Sequence, residues 1–185
     1  KIRMKILVTG GLGLIGHNII HRLEQLGHSV VIVDIRTTYG IIPQAELDYL
    51  MRERLKKIST TQIFKIDIAH ENMNRIIMYH SPDIVMHLAS FPRQKVVNAN
   101  PQLGSKTMSE GLLNLLEACT IYNVRKFMYI SSSMVYGDFN QDVTEDYPCK
   151  PQGQYSIMKY AGELLVKDYT RKHVLAHTII RPSAV

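Results

Sequence analysis

The sequence predicts an α/β fold, a doubly wound parallel sheet of about six strands with helices on both faces. Three observations predict it. Short apolar runs recur along the 185 residues, each followed by a longer stretch with helical spacing. The runs are near-continuous rather than alternating, as strands buried on both faces must be. Successive runs are joined by helix-length segments, and right-handed crossovers then place helices on both sides of one sheet.

The elements follow in order. Met4–Val8 is an apolar run ending at glycines, the first strand. In Leu14–Leu26, Leu14, Ile15, Ile19, Leu23 and Leu26 fall at helical spacing and the helix stops at Gly27. Ser29–Val33 is the second strand and ends at Asp34. Pro43–Ile58 is a charged amphipathic helix, Gln62–Ile66 the third strand, and Glu71–Tyr79 a helix closed by Ser81-Pro82. Ile84–Leu88 is the fourth strand and Gly104–Tyr122 a long helix. Lys126–Ser131 is the fifth strand, Gly153–Lys172 another long helix, and Ala176–Ile180 the sixth strand. No repeat or linker divides the chain, so residues 1–185 read as one domain.

Composition narrows the class. Hydrophobic residues at 45% and charged residues at 21% suit a globular domain and not a disordered one. No apolar run approaches the ~20 residues of a membrane span, and no signal peptide is visible at the N-terminus. Cys119 and Cys149 match no metal or redox spacing, and the eight histidines are dispersed, so no metal site is expected. Unpaired thiols point to a cytoplasmic setting. The formal charge of +6 comes from scattered basic residues without interleaved aromatics, which argues against nucleic acid as a partner.

Gly10, Gly13 and Gly16 form a GxxGxxG turn between strand and helix. Gly10 permits the turn, Gly13 lets a diphosphate approach backbone amides at a helix N-terminus, and Gly16 lets the helix pack closely. This is the phosphate end of a Rossmann-type domain. Asp34, at the end of the second strand, is placed to accept hydrogen bonds from a ribose 2′-hydroxyl and to repel a 2′-phosphate. It favours NAD over NADP, although Arg36 nearby is of the type that serves a 2′-phosphate. Asp67 and Ile68 follow the third strand, where an acid could meet the adenine amino group and an apolar side chain its ring; Asp67 reads equally well as a helix cap.

Strand carboxyl ends are where such folds bind ligands. Ser131-Ser132-Ser133-Met134-Val135-Tyr136-Gly137 stands at the end of the fifth strand. Downstream, Tyr155 and Lys159 are four residues apart and share one helix face. A free tyrosine, with a pKa of about 10, is a poor base at neutral pH. An ammonium one turn away favours the phenolate.

Taken together, TGGLGLIG, DI after the third strand, HLAS, NLLEAC, SSSMVYG, YSIMK and IIRP resemble the extended short-chain dehydrogenase/reductase family. Its members are the NAD-dependent nucleotide-sugar epimerases and dehydratases, and the resemblance runs the whole chain. It implies Tyr155 as catalytic acid/base, Lys159 as the residue that lowers its pKa and holds the nicotinamide ribose, and Ser132 as the hydroxyl on the reacting group, with Ser133 the near alternative. It also implies that Leu14 and Ile15 lie at the pyrophosphate, Leu88, Ala89 and Ser90 beside the nicotinamide, and Pro182 at the cofactor's far end. Dehydratases of the family carry an Asp-Glu pair before VYG, and decarboxylases a Glu. Ser133 and Met134 stand there instead, which favours a 4-epimerase of a UDP-linked sugar and leaves a reductase open.

Two departures from the family pattern accompany this. In NPxxYxxxN, Gly104 and Met108 replace the Tyr and the Asn. Family members have about twice the residues of one such domain, so the substrate-binding lobe is expected to be missing from this chain. A homodimer through the two long helices is the expected assembly.

Overall fold

Alternate residues of each strand feed two separate cores. Ile6 and Val8 of the first strand turn to one face and Leu7 to the other, which is why that strand reads as an unbroken apolar run. The computed structural model describes residues 2–91, 94–138 and 142–183. The strands are β1 (Lys5–Thr9), β2 (Ser29–Val33), β3 (Ile63–Phe64), β4 (Ile84–His87), β5 (Lys126–Ile130) and β6 (Ala176–Ile180). All pairings are parallel, in the order β3-β2-β1-β4-β5-β6. The order reverses beside β1, and the crevice at the carboxyl ends of β1 and β4 is the place a ligand enters.

Helices α1 (Leu14–Gln25) and α2 (Gln44–Leu55) cover the first face, with Ile20, Leu23, Met51 and Leu55 over Ile6, Val8, Val30 and Ile32. The second face is larger. There α3 (Met73–His80), α6 (Gly111–Ile121) and α7 (Gln154–Lys172) bury Met73, Ile77, Leu112, Leu115, Leu116 and Val166 against Leu7, Val31, Val85 and Phe127. Cys119 lies in this core, and burial pushes its thiol pKa up, so it is an unreactive packing residue.

Three features differ from the sequence expectation. A short helix, α4 (Gln94–Ala99), precedes the long one. The expected helix over Gly104–Tyr122 is instead α5 (Pro101–Ser105), a π-helical turn over Lys106–Glu110, and then α6. Hydrophobic spacing reports which residues face inward, and a single wide turn changes that little. A 3₁₀ turn over Ser133–Tyr136 follows β5, capped by Ser132, whose Oγ accepts the Met134 N–H at 3.2 Å. A third, smaller core of Phe91, Val97 and Met108, joined by Tyr39 and Tyr155, sits above the sheet's carboxyl edge. Among the described residues no helix is long and apolar enough to cross a membrane.

Candidate active site

The turn after β1 forms one wall of a cleft of about 610 Å³ at the sheet's carboxyl edge. Gly10 has φ +67°, and a Cβ there would stand 2.7 Å from the Ala89 backbone nitrogen. At Gly16 a Cβ would stand 2.5 Å from the Gly10 carbonyl. Glycine is required at both positions because backbone approaches backbone. Thr9 fastens this turn to β4: its hydroxyl is 2.7 Å from His87 Nδ1 and accepts the Ala89 N–H at 3.2 Å. Burial lowers the His87 pKa to about 3, with Lys159 adding to the effect, so the ring is a neutral strut.

Asp34 ends β2 with both oxygens engaged. Oδ2 accepts the Leu12 N–H at 2.9 Å and Oδ1 the Arg36 N–H at 2.7 Å. Each oxygen keeps a free lone pair, and the carboxylate faces the cleft. The guanidinium that lines the cleft is that of Arg54, on α2, and not of Arg36. Arg54 Nη1 donates to the Leu12 carbonyl at 2.7 Å, and burial lowers its pKa against the pull of Asp34. Asp67 closes its own turn by accepting the Ala69 N–H at 2.9 Å, and it also lines the cleft together with Ile68.

At the other end, Lys159 is 4% exposed and donates to the Ile130 carbonyl at 2.8 Å, with its Nζ 5.9 Å from the centre of the Tyr155 ring. Burial lowers the Lys159 pKa to about 8, opposed by Glu163. The Tyr155 phenol is hydrogen-bonded to Ser132, which lowers its pKa, but burial outweighs this and the net shift is upward. The pull of an ammonium on the phenolate, expected from the spacing, is opposed here by burial. Desolvation of the phenolate dominates in this arrangement.

Every residue expected to hold the cofactor lines this one cleft: Gly10, Gly13, Leu14, Ile15, Gly16, Asp34, Asp67, Ile68, Leu88, Ala89, Ser90, Tyr155, Lys159 and Pro182. Ser132 joins them, while Ser133 is not in the lining. Ser131, Thr107 and Tyr39 were not anticipated. Ser131 Oγ is buried with no hydrogen-bond partner among the described residues. Tyr39 stacks on Phe91 with ring centres 4.0 Å apart and hydrogen-bonds Thr107, tying the loop after β2 to the loop after β4. Long-range loop contacts of this kind leave no local signal in the sequence.

The cleft thus brings together a glycine turn at a helix N-terminus, the Asp34 carboxylate and the Tyr155 phenol, and its shape and lining fit a bound dinucleotide. The chain belongs to the NAD dependent epimerase/dehydratase family, whose model matches residues 6–185. It is 29% identical over 187 residues to the UDP-glucose 4-epimerase of Mycolicibacterium smegmatis, covering 98% of this chain and 56% of that protein. To the dTDP-glucose 4,6-dehydratase of Mycobacterium tuberculosis it is 30% identical over 183 residues, covering 95% and 52%. The crystal structure of UDP-glucuronic acid 4-epimerase from Bacillus cereus, in complex with UDP-glucuronic acid and NAD, superposes with a TM-score of 0.84 at 29% identity. That match covers 96% of this chain and 56% of the other. The chain spans about half the length of the relatives it matches.

Proposed function

We propose that the protein is an NAD-dependent nucleotide-sugar 4-epimerase acting on a UDP-linked sugar, with residues 1–185 as its cofactor-binding domain. The observation that carries this reading is the site at the start of α7. Tyr155 is hydrogen-bonded to Ser132, Lys159 lies one turn on, and positions 133 and 134 hold Ser and Met, with no carboxylate to drive elimination. NAD, held in this cleft, would supply hydride exchange at the sugar C4. Tyr155 takes the proton of the C4 hydroxyl and later gives it back. Ser132 hydrogen-bonds the same hydroxyl and orients it. Lys159, as an ammonium, favours the phenolate that burial opposes. Gly10, Gly13, Leu14, Ile15 and Gly16 receive the diphosphate, Asp34 the adenosine ribose, and Asp67 and Ile68 the adenine. Leu88, Ala89 and Ser90 border the nicotinamide, and Pro182 the cofactor's far end.

We place the substrate-binding lobe in the half of the relatives that this chain does not match. We also propose a homodimer through α6 and α7. Leu113 and Ile121 on α6, and Ile157 and Leu164 on α7, are each exposed by 36% or more, which supports that face as the contact.

The test is incubation with UDP-glucose, UDP-glucuronate and their N-acetyl forms, followed by separation of the C4 epimers. The wild type is expected to convert one of them and Tyr155→Phe none. Binding of NAD without conversion of any sugar would overturn the epimerase reading in favour of a binding module. A net change in sugar oxidation state at the expense of cofactor would make the protein a reductase.

A further inference from the structure

Proton transfer at Tyr155 leaves the arginine of IIRP without a task, yet Arg181 is where four pieces of the site meet. Its Nε and Nη2 donate to Oε1 and Oε2 of Glu163 at 2.9 and 2.7 Å, a two-point fork on a fully buried carboxylate. Its Nη1 donates to the Tyr136 hydroxyl at 2.8 Å and to the Glu145 carbonyl at 3.0 Å. The guanidinium also lies 4.9 Å over the Tyr136 ring. Tyr136 ends the 3₁₀ turn that Ser132 begins, and the Ser133 N–H donates to the carbonyl of Pro182, beside Arg181. Glu163 is one turn beyond Lys159 and two beyond Tyr155 on the same face of α7.

We propose that Glu163 and Arg181 are positioning residues. Arg181 forks onto the buried Glu163 carboxylate, that carboxylate stands one turn from Lys159 as its counter-charge, and the same guanidinium docks the Ser132 turn against α7. The inference rests on the reading of Lys159 as the partner of Tyr155, and its test needs no turnover.

A carboxylate this deep is tolerated only when paired and hydrogen-bonded, and Arg181 supplies both. Its fork explains why the position is an arginine: one planar guanidinium reaches a carboxylate, a phenol and a carbonyl together, which an ammonium on a lysine stem does not. The groups facing Lys159 are Tyr155 and Glu163 on its own helix, Tyr129 from β5 with its ring centre 5.3 Å away, and His87 from β4. Burial raises the pKa of both tyrosines and keeps His87 neutral. Glu163 is the one carboxylate of this set. Without it, burial acts on Lys159 unopposed.

The test is a pH titration of Lys159, followed by the NMR shift of its ¹³C-labelled ε-carbon, in the wild type, Glu163→Gln and Glu163→Asp. The wild-type midpoint is expected near 8. In Glu163→Gln it should fall by about one pH unit, and in Glu163→Asp, whose charge stands one methylene farther off, it should lie between the two. Midpoints unchanged in both variants overturn the charge role, and if Glu163→Gln does not fold, Glu163→Asp alone decides. Arg181→Lys keeps the positive charge and loses the fork. Amide exchange at Met134 and Val135, whose N–H groups donate within the Ser132 turn, should then quicken about tenfold; unchanged exchange overturns the docking role. NADH binding to the wild type is measured separately. A protein that fails to bind it sinks the cofactor-site reading while a shifted Lys159 midpoint still stands.

Discussion

Replacing Lys159 by methionine is expected to make the fold more stable at pH 7 while removing the group that charges the site. Lys159 is 4% exposed, and burial brings its pKa from 10.5 to about 8. Between those two values the unfolded chain holds a proton that the folded chain has released, so this group makes stability rise with pH across that window. Below pH 8 both states are protonated and the folded state carries the whole desolvation cost. A displacement of that size corresponds to about 3 kcal/mol. Methionine fills the volume of the lysine stem without a charge, but the hydrogen bond to the Ile130 carbonyl is lost, at about 1 kcal/mol. The net gain at pH 7 is then about 1–2 kcal/mol, large against the ~5–15 kcal/mol that a domain has in total. At pH 10 only about 0.8 kcal/mol of the wild-type cost remains, which nearly offsets the missing hydrogen bond of about 1 kcal/mol, so the two proteins should be about equally stable there. Urea unfolding of both proteins at the two pH values gives the gap directly, and other titrating groups cancel in the difference. A variant less stable than wild type at pH 7, or a gap that does not move between pH 7 and pH 10, refutes the argument.

Three further outcomes are expected. Gly16→Ala replaces a helical glycine, a change that at an open position stabilises by up to about 1 kcal/mol. Here its Cβ would stand 2.5 Å from the Gly10 carbonyl and 2.7 Å from the Gly11 Cα, so thermal denaturation should show a loss of about 1–3 kcal/mol instead. Asp34→Asn keeps the acceptor for the Leu12 or the Arg36 N–H and removes the charge; the ratio of NADPH to NADH affinity, read by ligand fluorescence, should rise by about tenfold, and an unchanged ratio would remove Asp34 from the ribose site. Tyr39→Ala removes the stack on Phe91 that bridges the two loops, so NADH should dissociate about three- to tenfold faster in stopped-flow displacement.

The succession of strands and helices and the cofactor wall were legible because their signals are local. A glycine turn, an acid at a strand end and a tyrosine–lysine spacing each declare themselves within a few residues, and all line the cleft. What stayed hidden is carried by contacts between distant segments. Arg54 reaches 42 residues back to Leu12, Arg181 ties α7 to two loops, and Tyr39 crosses the cleft to Phe91. Any of these side chains reads in the sequence as an ordinary exposed loop or helix residue. The upward pKa of Tyr155 was hidden for a related reason: the spacing to Lys159 fixes a pairwise attraction, whereas desolvation depends on everything packed around the phenol.

The departure at Met108 shows how such contacts change the meaning of a motif. By resemblance, an asparagine belongs there, and a methionine reads as the loss of a polar group from the site. In the structure the π-helical turn over Lys106–Glu110 sends Met108 into the third core, 3% exposed beside Phe91 and Val97. An apolar side chain is what that position requires. The neighbouring Thr107 lines the cleft instead and hydrogen-bonds Tyr39. The cleft thus keeps a polar group beside this position, the Thr107 hydroxyl. The wide turn that interrupts the expected long helix places Met108 in the core and Thr107 in the cleft, in keeping with the tendency of π-turns to sit at functional sites.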